Sequence, residues 1–389
     1  MPRKSVYLDY QGSSPIDPRV RDAILEAWTT PGNPSAEDHA FGWEAMGKVE
    51  RAREQVAAAI GAQSDEVIFT SGSTEANNIA ILGGATGAPL DRRRILVSSI
   101  EHKSASEAAR AAEGMGFEVV VVRTSSSGVV TPEELASLID ETVAIVSVMA
   151  VNNEIGTVQP IKRLADVAHS KGAFFHTDAT QALNSGVVDV AAWGVDALSI
   201  SGHKICGPSG VGALYIASDA PWRLKALTHG GGQERGLRPG TVPTALCVGL
   251  GLACEIVSRE GESERVRVRF LRDAFERSLR TLVPEAVVTC EQSERHPGCL
   301  HIRLPGVSAS DLLLQLQPEV AASTGSACTS GVVGPSHVAR AIGMSYQEAS
   351  EVIRFSMGRF STSEEIELAV DAIGAALARQ RAWNGWTCN

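Results

Sequence analysis

Between residues 95 and 216 the sequence alternates short, nearly unbroken apolar runs with stretches of helical periodicity, and this alternation narrows the fold more than any other feature. The apolar runs cover residues 95–98, 118–123, 143–148, 174–176, 195–200 and 211–216; helical spacing falls at 103–112, 132–139 and 161–170. Strands that read as continuous apolar runs are covered on both faces, so the pattern predicts a mainly parallel sheet between helical layers, an α/β fold. Such sheets place their sites at the carboxyl ends of the strands. Polar clusters stand at those ends: Glu101-His102-Lys103, Asn152-Asn153-Glu154, Asp178-Ala179-Thr180-Gln181 and Ser201-Gly202-His203-Lys204.

The flanking sequence has a different rhythm. Residues 5–20 read as an extended segment closed by Pro15 and Pro18, with a helix starting near Asp17. Pro31-Gly32-Asn33-Pro34 is a loop, 45–60 has helical spacing, and a short strand at 66–69 runs into Thr70-Ser71-Gly72-Ser73-Thr74-Glu75. Past Gly230-Gly231-Gly232 a long helix is expected from about Pro243 through the charged stretch 259–277, followed by short elements from Val287 onward. These shifts predict a large domain at 16–260 and a smaller α+β domain made of 1–15 with 261–389. The tail at 383–389 is expected to be poorly ordered.

A net charge of −10 argues against a nucleic-acid groove or an anionic membrane surface as the main partner. No apolar run approaches the length of a membrane span, and no targeting core follows Met1. The seven cysteines form an odd set without a CxxC pair, which suggests neither a disulfide framework nor a zinc site and places the chain in the cytoplasm.

Lys204 closes an apolar strand and is bracketed by Gly202 and Gly207-Pro208. A buried amine there has a chemical use as the partner of an aldehyde cofactor, through a Schiff base. A solvated lysine after a strand would read the same way, and other stretches of the chain separate the two. The strand–turn–helix at 66–82 sets free N–H groups and hydroxyls at a helix N-terminus, suited to a phosphate, although a serine or threonine cap needs no ligand. Asp178 can pair with a protonated pyridine nitrogen or cap a helix, and His102 can stack on a flat ring or sit satisfied in a loop.

SGHKICGPSGVGALYI, TSGSTEANNIAI, VNNEIGTVQPI, HTDATQAL, HGGGQERGLRPGTVP and STGSACTSG together resemble, in order and spacing, cysteine desulfurases of the iron–sulfur-assembly type. These belong to the class V aminotransferase group of pyridoxal phosphate enzymes, with a large domain on a mainly parallel mixed sheet and a smaller domain. The resemblance runs from about Tyr7 to about Phe360. It implies pyridoxal 5'-phosphate as cofactor, L-cysteine as substrate, a homodimer and a protein that accepts the sulfur. By the same resemblance Lys204 carries the Schiff base, Asp178 pairs with the ring nitrogen, His102 stacks and shuttles protons, and Gln181 bonds the phenolate oxygen. Ser73, Thr74, Ser201 and His203 hold the phosphate with Thr241 of the other subunit; Arg354, Asn153 and Asn33 hold the substrate. Cys328, in a loop of small residues, takes the sulfur as a persulfide; Cys206 is the rival thiol but reads as packing.

The sequence departs from the pattern at Pro239, where the family usually has serine, and at Asn184-Ser185. A proline offers no N–H there. Two further readings remain open: a selenocysteine lyase or aminotransferase of the same fold, and a non-catalytic sulfur carrier or scaffold. The acceptor pathway stays open between iron–sulfur clusters, thiolated tRNA, a sulfur-containing cofactor and sulfur-modified DNA.

Overall fold

A computed structural model describes residues 5–325 and 336–386, with side chains to residue 380; the elements and contacts below are those among these residues. The chain opens with strand β1 (Val6–Tyr7), then helices α1 (Pro18–Thr29) and α2 (Ala40–Ile60). Asp17 starts α1 by accepting from the Arg19 N–H, with Pro18 at the first helical position where its missing N–H is not needed. Gly61, left-handed at φ 70°, ends α2.

Strand β2 (Val67–Thr70) leads into α3 (Ser73–Asn78), which continues through a wider turn into α4 (Gly84–Gly87). Then strands and helices alternate: β3 (Arg94–Ser98), α5 (Lys103–Glu113), β4 (Glu118–Val122), α6 (Pro132–Leu138), β5 (Val143–Ser147), α7 (Ile161–His169), β6 (Phe174–Asp178), α8 (Val190–Trp193), β7 (Ala197–Ser201) and β8 (Gly212–Ile216). They form a seven-stranded sheet in the order β2-β8-β7-β6-β5-β3-β4, parallel except for β8, which runs against both of its neighbours. Every residue of β5, β6 and β7 is buried, which is why these segments read as unbroken apolar runs. Alternate residues feed different clusters: Leu96, Val146, Phe175 and Leu198 pack on one side, and Ile95, Val97, Ile145 and Phe174 on the other.

Helix α9 (Thr244–Leu282) is one element of 39 residues, as the sequence led us to expect. Its first half packs on the large sheet through Leu250, Ala253 and Cys254, and its second half enters a separate apolar cluster through Val268, Leu271, Phe275 and Leu279. That cluster is completed by β9 (Val287–Val288), β10 (Cys299–Arg303), α10 (Ala309–Gln315), β11 (Val320–Ala321), β12 (Val352–Ser356) and α13 (Ser363–Trp386), of which β12-β10-β9 form an antiparallel sheet; α11 (His337–Ala341) packs its Val338 against Ile100 and Met149 instead, and α12 (Tyr346–Ser350) buries no residue. The N-terminal Val6 and Leu8 belong to this second cluster, with β1 parallel to β11. Helix α13 reaches Trp386, so residues 383–386, expected to lack order, continue a helix begun by an amphipathic stretch; residues 387–389 lie outside those described.

Candidate active site

The carboxyl ends of β3, β6 and β7 bring three of the expected residues to one place. Asp178 is the last residue of β6 and is buried. Its Oδ2 accepts from Asn77 Nδ2 at 2.7 Å and its Oδ1 from the Thr180 N–H at 2.9 Å. His102 caps α5, its Nδ1 accepting the Ser104 N–H at 3.1 Å. Burial holds the His102 imidazole below its usual pKa; the charges it senses are Asp178, which opposes the shift, and Lys204, His337 and Lys103, which add to it.

Lys204 stands three residues beyond β7, at the end of a tight turn over Gly202–Lys204, and is half-buried rather than enclosed in the strand. Polar backbone is what permits a cation there: Nζ donates to the carbonyls of Gln11 at 2.7 Å and Gly12 at 2.6 Å. The Gln11 carbonyl also accepts from Gln181 Nε2 at 3.0 Å, so Gln181 and Lys204 share an anchor. Residues 9–14 thus form a wall of the site. Ser13 Oγ meets His203 Nδ1 at 3.2 Å, and Ser14 Oγ donates to the His203 carbonyl at 2.7 Å. Asn184, an unusual residue by sequence, donates to the Lys204 carbonyl at 2.5 Å. Burial, with the Lys204 charge adding to it, lowers the His203 pKa to about 4, so this ring is neutral near neutral pH.

The cleft suits a phosphorylated pyridine. Gly72, at φ 150°, caps α3 in a conformation that side chains rarely adopt, and Ser201 Oγ lies 3.8 Å from where a Cβ would sit. First-turn N–H groups of α3, at Ser73 and Thr74, have no intrahelical partner. Thr180 Oγ1 and Asn77 Oδ1 are buried without a partner among the described residues.

Arg354, in β12, is buried and arrives through the second cluster. Its Nη1 donates to the Asn153 carbonyl at 2.6 Å, Nη2 pairs with Asp9, and Nε is buried without a partner. Glu154, beside Asn153, is pushed up to about 7 by burial and accepts from Ser336 Oγ at 2.5 Å. Glu101 is likewise pushed up to about 8 by burial, with Ser98 Oγ at 2.5 Å and the Met149 N–H at 2.7 Å as donors.

Cys328 lies outside the described residues; the segment is described up to Gly325 and again from Ser336. Cys206 is buried and its thiol is pushed up to about 11 by burial, the condition of a packing cysteine rather than a nucleophile. Two expected residues are not brought to the others. Asn33 is exposed and turns its Oδ1 onto the Ser35 N–H at 2.9 Å, and Thr241 is exposed just before α9. Pro239 packs near Gly230, while the next residue, Gly240, donates its N–H to Gln233 Oε1 at 3.0 Å. Sequence reasoning missed Asp9, Gln11, Asn77, Ser104 and Glu154; of these only Asn77 and Glu154 stood inside stretches already singled out.

The model of the family "Aminotransferase class-V" matches residues 6–368. The cysteine desulfurase IscS of Rickettsia rickettsii (strain Iowa) is 42% identical over 378 residues, 97% of this chain and 92% of that protein. The cysteine desulfurase of Homo sapiens is 43% identical over 369 residues, 95% of this chain and 80% of the human one. Among solved structures, a NifS-like protein superposes with a TM-score of 0.89 at 32% identity, covering 96% of this chain and all of its own.

Proposed function

Since the chain belongs to the class V aminotransferase family and is a pyridoxal phosphate-dependent cysteine desulfurase, we propose that the cleft at the ends of β3, β6 and β7 is its active site and assign its residues accordingly. Pyridoxal phosphate, when bound, supplies an electron-withdrawing ring conjugated with the substrate's amino group. Lys204 would hold it covalently, Asp178 would bond the ring nitrogen, Gln181 the phenolate oxygen, and His102 would face the ring. Ser73, Thr74, Ser201 and His203 would hold the phosphate, with Thr241 from a second subunit. Arg354 and Asn153 would bind the carboxylate of L-cysteine, and Asn33 would join them only if its loop moves inward. Cys328 would attack the substrate's sulfur, breaking the carbon–sulfur bond, so that alanine leaves and a persulfide remains. An acceptor protein in the cytoplasm would then take that sulfur; with an acidic chain, direct contact with nucleic acid is not expected. Among the described residues no helix is long and apolar enough to cross a membrane.

We also propose that the chain works as two domains, 16–260 and 1–15 with 261–389; the separate apolar clusters spanned by α9 support this. The observation that carries the site assignment is the placement of Asp178 at the end of β6 and Lys204 just past the neighbouring β7, with Lys204 and Gln181 both donating to the Gln11 carbonyl. Lys204→Ala should abolish the visible absorbance of the purified protein and the covalent cofactor mass after borohydride reduction. A reduced adduct found on another lysine would overturn the assignment.

A further inference from the structure

Asp178 and His102 are joined by a continuous chain of hydrogen bonds whose direction is fixed at every link. His102 Nδ1 accepts the Ser104 backbone N–H at 3.1 Å, so this nitrogen carries no hydrogen and the ring hydrogen sits on Nε2. Ser104 Oγ lies 2.8 Å from the same Nδ1 and must therefore donate to it. Having spent its hydrogen, Ser104 Oγ accepts from Asn77 Nδ2 at 2.8 Å. The other hydrogen of that amide goes to Asp178 Oδ2 at 2.7 Å, and Asp178 Oδ1 accepts from the Thr180 N–H. Turning the Asn77 amide over would set its oxygen against two acceptors, so the amide orientation is also fixed. The arrangement is buried: Asn77 is fully enclosed and Ser104 is 8% exposed. It even leaves Asn77 Oδ1 without a partner, a penalty of the kind retained where the other interactions are used.

We propose that Asn77 and Ser104 are positioning residues of the desulfurase site, which together fix the orientation of the Asp178 carboxyl and hold His102 as the neutral Nε2–H tautomer. This rests on the roles proposed above for Asp178 and His102. With one oxygen accepting from Asn77 and the other from Thr180, the Asp178 carboxyl is fixed in its orientation at the end of β6. With Nδ1 doubly engaged, an imidazolium would face the Ser104 N–H and the α5 N-terminus, both of which disfavour a positive charge. The charged or titratable groups facing His102 are Asp178 on β6, Lys204 past β7, Lys103 beside it and His337 at the start of α11; only the first favours protonation. In this resting arrangement His102 offers a hydrogen from Nε2, and it can accept a proton only after Ser104 lets go of Nδ1.

Histidine-selective 15N spectra of the enzyme, with and without added pyridoxal phosphate, test this between about pH 5 and 9, the range in which imidazoles titrate. His102, assigned by its loss in His102→Gln, should show Nε2–H and stay neutral where a free imidazole is half protonated. Ser104→Ala removes the hydroxyl donor to Nδ1 but leaves the backbone N–H, so it should keep the Nε2–H tautomer while raising the pH at which the ring titrates, and Ser104→Thr should restore the wild-type pattern. In the loaded enzyme, Asn77→Ala should move the pH at which the visible band titrates. Each variant should lower kcat by about 2- to 12-fold, the equivalent of one hydrogen bond, with KM nearly unchanged. A wild-type ring protonated on Nδ1, or a Ser104→Ala titration identical to wild type, would overturn the proposal. Either result would leave the active-site assignment standing, because that rests on the Lys204→Ala adduct; and Ser104→Ala alone decides the matter if Asn77→Ala fails to fold.

Discussion

The Arg354 guanidinium is 3% exposed and already engaged, with Nη2 paired to Asp9 and Nη1 spent on the Asn153 carbonyl. A substrate carboxylate arriving here finds the N–H groups that these two bonds leave over, Nε among them, and competes with Asp9 for the Nη2 side of the fork. Arg354→Ala should therefore raise the KM for cysteine by about 10- to 100-fold, the worth of a charge-assisted bond. Asp9→Asn should do the reverse, lowering KM while also lowering the melting temperature, because the buried cation loses its carboxylate. A KM that rises in Asp9→Asn would show that Asp9 aims Arg354 instead of competing for it. Arg354 was legible in the sequence because Val352-Ile353-Arg354-Phe355-Ser356 sets a charge inside a strand pattern. Asp9 was not, since its partner is 345 residues away in the chain. Lys204 is the same case: its anchors are the carbonyls of Gln11 and Gly12, and a backbone carbonyl leaves no trace in a sequence. Charged residues at strand ends can thus be read from one sequence, while the neutral groups that orient them cannot.

Strands β3 and β5 to β8 were legible for a related reason, since burial on both faces forces continuous apolar runs. Strands β1, β9 and β11 were not, being two residues long and defined by their partners rather than by any pattern. Helix α9 was legible in full, yet nothing in its periodicity tells that its two halves serve different cores. That division makes the second half a good place to separate stability from chemistry. Phe275 is fully buried there and meets Phe355 edge to face, with centroids 5.0 Å apart and an interplanar angle of 84°. Phe275→Ala should destabilise the protein by about 3–5 kcal/mol in urea unfolding, as large-to-small changes in a packed core do. Lys204, Asp178 and His102 stand on the other core, so the visible absorbance should persist at low denaturant. A loss below about 1 kcal/mol would mean that this cluster closes around the cavity.

At the scale of the whole molecule, helices α1 and α2 carry large apolar side chains in solvent. Leu25 and Trp28 of α1 and Phe41, Trp43 and Met46 of α2 are each about half exposed, and exposed apolar side chains of this size suit a protein partner better than water. The proposed homodimer would give some of them an occupant, and it would also explain why Thr241 is exposed. If Thr241 serves the other subunit, a subunit lacking Lys204 can still lend its Thr241. Lys204→Ala and Thr241→Ala subunits, each inactive or impaired alone, are then mixed by gentle unfolding and refolding. In a mixed dimer the Thr241→Ala subunit keeps its own lysine and receives an intact threonine, so one of the two sites is complete. Half of the dimers are mixed by chance, so about a quarter of the wild-type sites should recover. A threonine acting within its own subunit would leave every site in the mixture with a defect, and refolding the two variants together would then restore nothing.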